Sequence, residues 1–183
     1  MNNSYRFITF KILYKFFKSN ISYKIILSTF FNKNSYSAKD KKNIINTSKG
    51  ILRNKLIIEE YINFYSSITF KKIDTKPLIL LYIGIYELLY CDYIPNYATI
   101  NTIVDICKKK HNKSHKYINA ILRKISTAKI DIVNNNKDKK NNKKISFNDS
   151  YPLWMIDIYL SSYSKKVVID ILTNSHLVPK ISF

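Results

Sequence analysis

The 183-residue chain has only two glycines, four prolines, two cysteines and three arginines, and each shortage excludes something. With Gly50 and Gly84 alone, a glycine-rich loop cradling a phosphate is excluded, because such loops need several positions where backbone approaches the ligand. Collagen-like and Gly/Ser-linker architectures go with it. Cys91 and Cys107 make no disulfide framework, C-x-x-C redox pair or metal-ligand spacing, and each sits in an apolar helical pattern, so both are read as core thiols. His111, His115 and His176 share no ligand spacing, and the acids form no paired carboxylates. No catalytic residue, metal site or cofactor is therefore expected within this chain. The longest apolar run, from Pro77 to Tyr90, is shorter than the roughly 20 residues a bilayer needs and contains Glu87. It reads as a buried core helix, with no membrane partner implied.

What is abundant is charge of one sign. Lys plus Arg number 31 against 12 acids, a formal charge of +19, which points to a polyanionic partner. The same chain is crowded with Lys, Asn, Ile, Tyr, Phe and Ser, residues with A- and T-rich codons, so part of that charge reads as compositional drift. In that background a retained Gly or Arg marks a place where Lys or Asn does not serve. Gly84, inside a buried helix, costs about 1 kcal/mol relative to Ala, which implies a close helix crossing. Gly50 is read the same way, and Arg53 as tying an adjacent helix turn to the core.

Helical periodicity recurs along the chain. Ile8, Ile12, Leu13 and Phe16 form one stripe, with Arg6, Lys11, Lys15 and Lys18 on or near the other face. A second short helix over residues 21 to 31 would turn Ile21, Ile25, Ile26 and Phe30 inward. Ser37 and Asp40 form a capping-box variant ahead of a long helical stretch that breaks near Arg53 to Lys55. Asp74 or Thr75 caps the apolar helix, Tyr93 to Asn96 is a turn containing Pro95, and a helix from Ala98 to Lys108 follows. Ser114 is the expected N-cap of the next helix, whose stripe is Tyr117, Ile118, Ile121, Leu122 and Ile125. No period-2 strand pattern competes, so the fold class is all-α.

Three regions are expected. Residues 1–128 form a helical domain. Residues 129–149 are a Lys/Asn-rich linker, read as solvated, with an RNA-gripping tail as the alternative. Residues 150–183 carry a helical pair in which Trp154, the only tryptophan, anchors against a neighbour, and end in a strand-like Val178 to Phe183. Residues 1–39 hold seven basic residues and no acid, so a transit peptide is weighed against structural helices, and the latter is preferred. A cytoplasmic address follows, with an organelle as the alternative.

Within Lys76 to Ile125, three stretches occur in order: Leu81-Tyr-Ile-Gly-Ile-Tyr-Glu-Leu-Leu89, then Ile94-Pro95 with Ala98 and Ile100-Asn101, then Lys113-Ser-His-Lys-Tyr-Ile-Asn-Ala-Ile-Leu-Arg123. This pattern resembles the NusB-like all-helical RNA-binding domain, found in the antitermination factor NusB and at the N-terminus of RsmB (Sun) type ribosomal RNA cytosine-5 methyltransferases. Asp40 with Gly50-Ile-Leu-Arg53 is similar to the D-R-x-F and G-V-L-R region of the RsmB type, although Lys41 and Asn43 replace the usual Arg and Phe. Tyr151-Pro-Leu-Trp154 is similar to the Y-P-x-W start of the connector leading to the methyltransferase module. The resemblance implies a NusB-like bundle with a C-terminal helical connector. It also implies RNA, small-subunit ribosomal RNA first, as partner, and either a separate methyltransferase domain or a ribosomal protein beside it. The methyltransferase module, with its S-adenosylmethionine site and catalytic cysteines, is absent, and Cys91 and Cys107 do not stand in for them.

The expected RNA face combines Lys113, His115 and Lys116 at the Ser114 helix start, where unpaired N–H groups favour a phosphate, with Lys108 to Lys110 nearby and Arg6, Lys11 and Lys15 on the first helix. Arg123 extends it; for Arg6 and Arg123 an internal ion pair is the alternative. Tyr5 and Tyr117 are the stacking candidates, with inward packing as the alternative for Tyr117. Gly50, Arg53, Gly84, Pro95, Asn119 and Trp154 are assigned structural roles.

Overall fold

The computed structural model describes residues 4–128 and 151–175. By its internal packing the chain divides into two units, Met1–Ile130 and Asp131–Phe183. The first unit contains α1 (Tyr5–Lys18), α2 (Tyr23–Lys33), α3 (Ala38–Arg53), α4 (Lys55–Tyr65), α5 (Thr75–Tyr90), α6 (Asn96–His111) and α7 (His115–Ala128), with 3-10 turns at Phe70–Lys72 and Asn112–Ser114. The second contains α8 (Leu153–Ser162) and α9 (Lys165–Ser175). No strand occurs among the described residues, so the all-α expectation holds. The Lys/Asn-rich stretch 129–149 and the strand-like end 178–183 lie outside the described residues.

The centre of the first unit is α5, which packs against α1, α3, α4, α6 and α7. Its sequence explains that position. Ile79 to Ile85 are all buried, so the helix is apolar on every side and stable only when surrounded. Two close crossings depend on the two glycines. A Cβ at Gly84 would sit 2.8 Å from both methyl carbons of Leu122 on α7, and a Cβ at Gly50 would overlap the Tyr86 ring of α5. At both positions a side chain of the facing helix occupies the space a Cβ would need, and that packing offsets the helix-propensity cost of glycine.

The helix boundaries follow local chemistry. Ser37 Oγ accepts from the Asp40 amide at 3.0 Å and donates to the Asp40 carboxylate at 2.6 Å, closing the capping box ahead of α3. The break between α3 and α4 falls at Asn54, whose backbone and side-chain N–H groups both donate to the Gly50 carbonyl at 2.9 Å. The Pro95 carbonyl accepts from the Ala98 and Thr99 amides and so opens α6.

Several expectations need correction. In α2 only Ile26 is buried, and Ile21 and Ile25 face outward. The inward stripe is Tyr23, Ile26, Leu27 and Phe30, which packs with Ile8, Ile12 and Ile44. Arg53 does not tie the turn to the core: it is exposed in the last turn of α3, where a cation complements the helix dipole. In the second unit, Ile156, Val168 and Leu172 form the core, covered by Tyr151, Tyr159 and Leu160. Trp154 takes no part in it and is 65% exposed. It stands two residues from Ile156, about 200° around the helix from that inward position.

Candidate nucleic-acid interface

The first helix is fixed by a polar centre inside the bundle. Glu87, on α5, is 1% exposed, a position that a carboxylate tolerates only with partners. It accepts from Tyr5 Oη at 2.7 Å, from Thr99 Oγ1 at 2.7 Å and from Arg6 Nε, which reaches both carboxylate oxygens at 2.8 and 2.9 Å. Arg6 Nη1 also donates to Thr102 at 3.3 Å. Burial and the adjacent Glu87 charge push the Tyr5 phenol well above its ordinary range, so it stays a donor. Arg6 is thereby corrected from an RNA ligand to an internal tether, and Tyr5 from a stacking ring to a hydrogen-bond donor. A second centre on α4 follows the same logic: Glu59 accepts from Tyr82 Oη at 2.7 Å and pairs with Lys55 at 2.6 Å.

Holding α1 in this way places its outer face beside the end of α6. Lys11 Nζ lies 4.6 Å from the Phe7 ring centroid and Lys110 Nζ lies 5.1 Å from the same ring. Two ammonium groups from different helices therefore converge on one aromatic ring, each attracted by its π electrons. Sequence reasoning grouped these lysines but missed Phe7, whose i, i+4 spacing to Lys11 was the available signal. Lys15, one turn beyond Lys11 on α1, is half-buried. Lys108 and Lys109 are exposed in the last turn of α6 beside Lys110, with Lys108 3.7 Å from Asp105. Lys113 and Lys116 are exposed just beyond it, and His115 is half-buried.

α7 begins at His115, directly after Ser114, the position expected for its N-cap. α6 passes through the 3-10 turn Asn112–Ser114 directly into α7, and Ser114 Oγ is engaged with His111 Nδ1 at 2.9 Å. His111 Nε2 lies 3.5 Å from the exposed Asp74 carboxylate, a surface contact between the end of α6 and the residue before α5. Arg123 is exposed near the far end of α7, and its Nε donates to Asn119 Oδ1 at 3.1 Å. It lies beside Asn96, Tyr97 and Asn101 at the start of α6, away from the Lys108 to Lys110 end. Tyr117 is half-buried with its hydroxyl 2.7 Å from Ser66 Oγ, which is the inward alternative. Among the described residues no group of His, Cys, Asp or Glu is arranged to hold a metal, and no helix is long and apolar enough to cross a membrane.

The helices that build this face coincide with a known pattern: the NusB family model matches residues 3–127. The chain belongs to the NusB family. It is 33% identical over 89 residues to transcription antitermination protein NusB of Clostridium tetani, an alignment covering 48% of this chain and 58% of that protein. Identity to NusB of Methylacidiphilum infernorum is 34% over 99 residues, covering 53% and 69%. With the probable ribosomal RNA small subunit methyltransferase B of Bacillus subtilis it is 22% over 179 residues, covering 96% of this chain and 39% of that protein. A solved structure of T. maritima NusB superimposes with a TM-score of 0.61 at 25% identity, covering 69% of this chain and 92% of that one. The chain thus spans less than two-thirds of the Clostridium and Bacillus proteins.

Proposed function

We propose that this NusB-family chain is an RNA-recognition module of the small-subunit ribosomal RNA methyltransferase B type. The observation that carries the reading is the extent of the Bacillus alignment, which runs over 96% of the chain and so includes the α8–α9 region, beyond the 69% that superimposes on NusB. Lys11 and Lys110, converging on Phe7, are the centre of the RNA face, flanked by Lys15, Lys108, Lys113 and Lys116. These are phosphate contacts, which position RNA without reading its sequence. In this reading the chain performs no chemistry and holds no cofactor; methyl transfer belongs to a methyltransferase module.

The second reading is a NusB-type antitermination factor acting with a ribosomal-protein partner on nascent RNA. It is favoured by the higher identity to the two NusB proteins, 33% and 34%. Sequencing of RNA cross-linked to the full chain in cells separates the two. Enrichment of small-subunit ribosomal RNA with a methyltransferase supports the first, and enrichment of nascent transcripts with transcription machinery supports the second. Absence of enriched RNA overturns both.

A further inference from the structure

We propose that the groove between the start of α6 and the last turns of α7 receives one unpaired RNA base, stacked on Tyr97. This rests on the RNA-binding reading and adds to it a contact of a different kind. Tyr97 is 70% exposed, whereas Tyr5 and Tyr117 are half-buried, with their hydroxyls held by Glu87 and Ser66. Exposed aromatic rings beside basic residues are the platforms on which single-stranded bases stack.

The groove, about 530 Å³ and open to solvent, has the amphipathic character of a base. The Tyr97 ring and Ile100 offer apolar surface to its faces. Asn96 and Asn101 offer amide donors and acceptors to its edge. The hydroxyls of Ser126 and Thr127 donate to the Arg123 carbonyl at 2.9 and 3.0 Å, so their oxygens remain as acceptors. Arg123 supplies the one charge of the lining, with no acid to oppose a phosphate, and its Nε bond to Asn119 holds the guanidinium in place. Lys110 lies thirteen positions beyond Tyr97, about 20 Å along α6 and about 140° around it, so the groove is a contact separate from the basic face.

The test uses the full chain and a mixed-sequence single-stranded RNA oligonucleotide carrying 4-thiouridine. Photocross-linking is expected on the peptide containing Tyr97. Tyr97→Ser should weaken binding about five- to a hundred-fold with an unchanged salt slope, whereas Tyr97→Phe should bind as the parent does. Because the ring is exposed, folding is expected to be unaffected, which circular dichroism checks. Lys11→Glu with Lys110→Glu should lower both affinity and salt slope. If Tyr97→Ser binds and cross-links like the parent while the lysine variant fails, the groove proposal is overturned and the basic face stands. If neither variant changes binding, the RNA face itself is overturned. Capture of a protein at the groove with no cross-linked base also overturns the proposal.

Discussion

Replacing Arg6 by Ala separates an internal tether from an RNA ligand. The Arg6 side chain is 11% exposed and that of Glu87 fully buried, so the substitution leaves a carboxylate in the core without its cation. Removing one partner of a buried pair costs about 3–5 kcal/mol. Tyr5 and Thr99 still donate to Glu87, which places the expected loss near the lower end, about 3 kcal/mol. At about 2–4 °C per kcal/mol for a chain of this size, Tm should fall by about 6–12 °C. Lys11→Ala, on the surface, should cost within about 1 kcal/mol including its contact with Phe7. Thermal and urea unfolding followed by circular dichroism measure both. RNA binding is compared at a temperature where each variant is folded, over a range of salt. The expected result is an unchanged salt slope for Arg6→Ala. The reasoning is refuted if stability stays within about 0.5 kcal/mol of the parent while the slope falls by about 0.7, the signature of one lost phosphate contact on a single strand.

Other perturbations follow from the same geometry. Burial and neighbouring carboxylates raise the Tyr5 and Tyr82 phenols above the ordinary value of about 10. Their contribution to stability is full below pH 10 and declines above it, because the unfolded chain then releases protons the folded chain keeps. Tyrosinate absorbance during alkaline titration should show these two rings ionising only with unfolding; early, gradual ionisation of all tyrosines would count against the Glu87 and Glu59 bonds. Gly84→Ala should destabilise by about 1–3 kcal/mol despite alanine's better helix propensity, since its Cβ meets the buried Leu122. Combined with Leu122→Val, the loss should be less than additive in urea unfolding. Burial raises the Cys107 thiol, so a thiol reagent should modify it only as the protein unfolds.

The helices were legible in the sequence because their apolar period is local information. The stripe Ile118, Ile121, Leu122 and Ile125, the capping box at Ser37 and the break at Asn54 each depend on residues within two turns. The misplaced parts depend on position rather than pattern. Ile21 and Ile25 belong to a sequence rich in isoleucine, where more apolar residues exist than inward positions, and the start of α2 at Tyr23 decides which are used. Trp154 was assigned by residue type, although the spacing of Ile156, Tyr159 and Leu160 already sets the inward side of α8.

Arg6 shows how the site itself was only half legible. Its charge suggested RNA, but Arg6, Thr9, Phe10 and Leu13 are all buried and share the i, i+3, i+4, i+7 spacing of one helix face. The complementary signal lay 81 residues away, in a single acid within an otherwise apolar helix. Glu87 requires a buried cation, and arginine, with its charge maintained and several donors, suits that role better than the lysines the composition supplies so freely. Of the three arginines only Arg6 therefore went inside, where geometry matters; Arg53 and Arg123 are exposed, as the surface lysines are. The proposed RNA face is then a lysine surface positioned by an internal arginine it does not include.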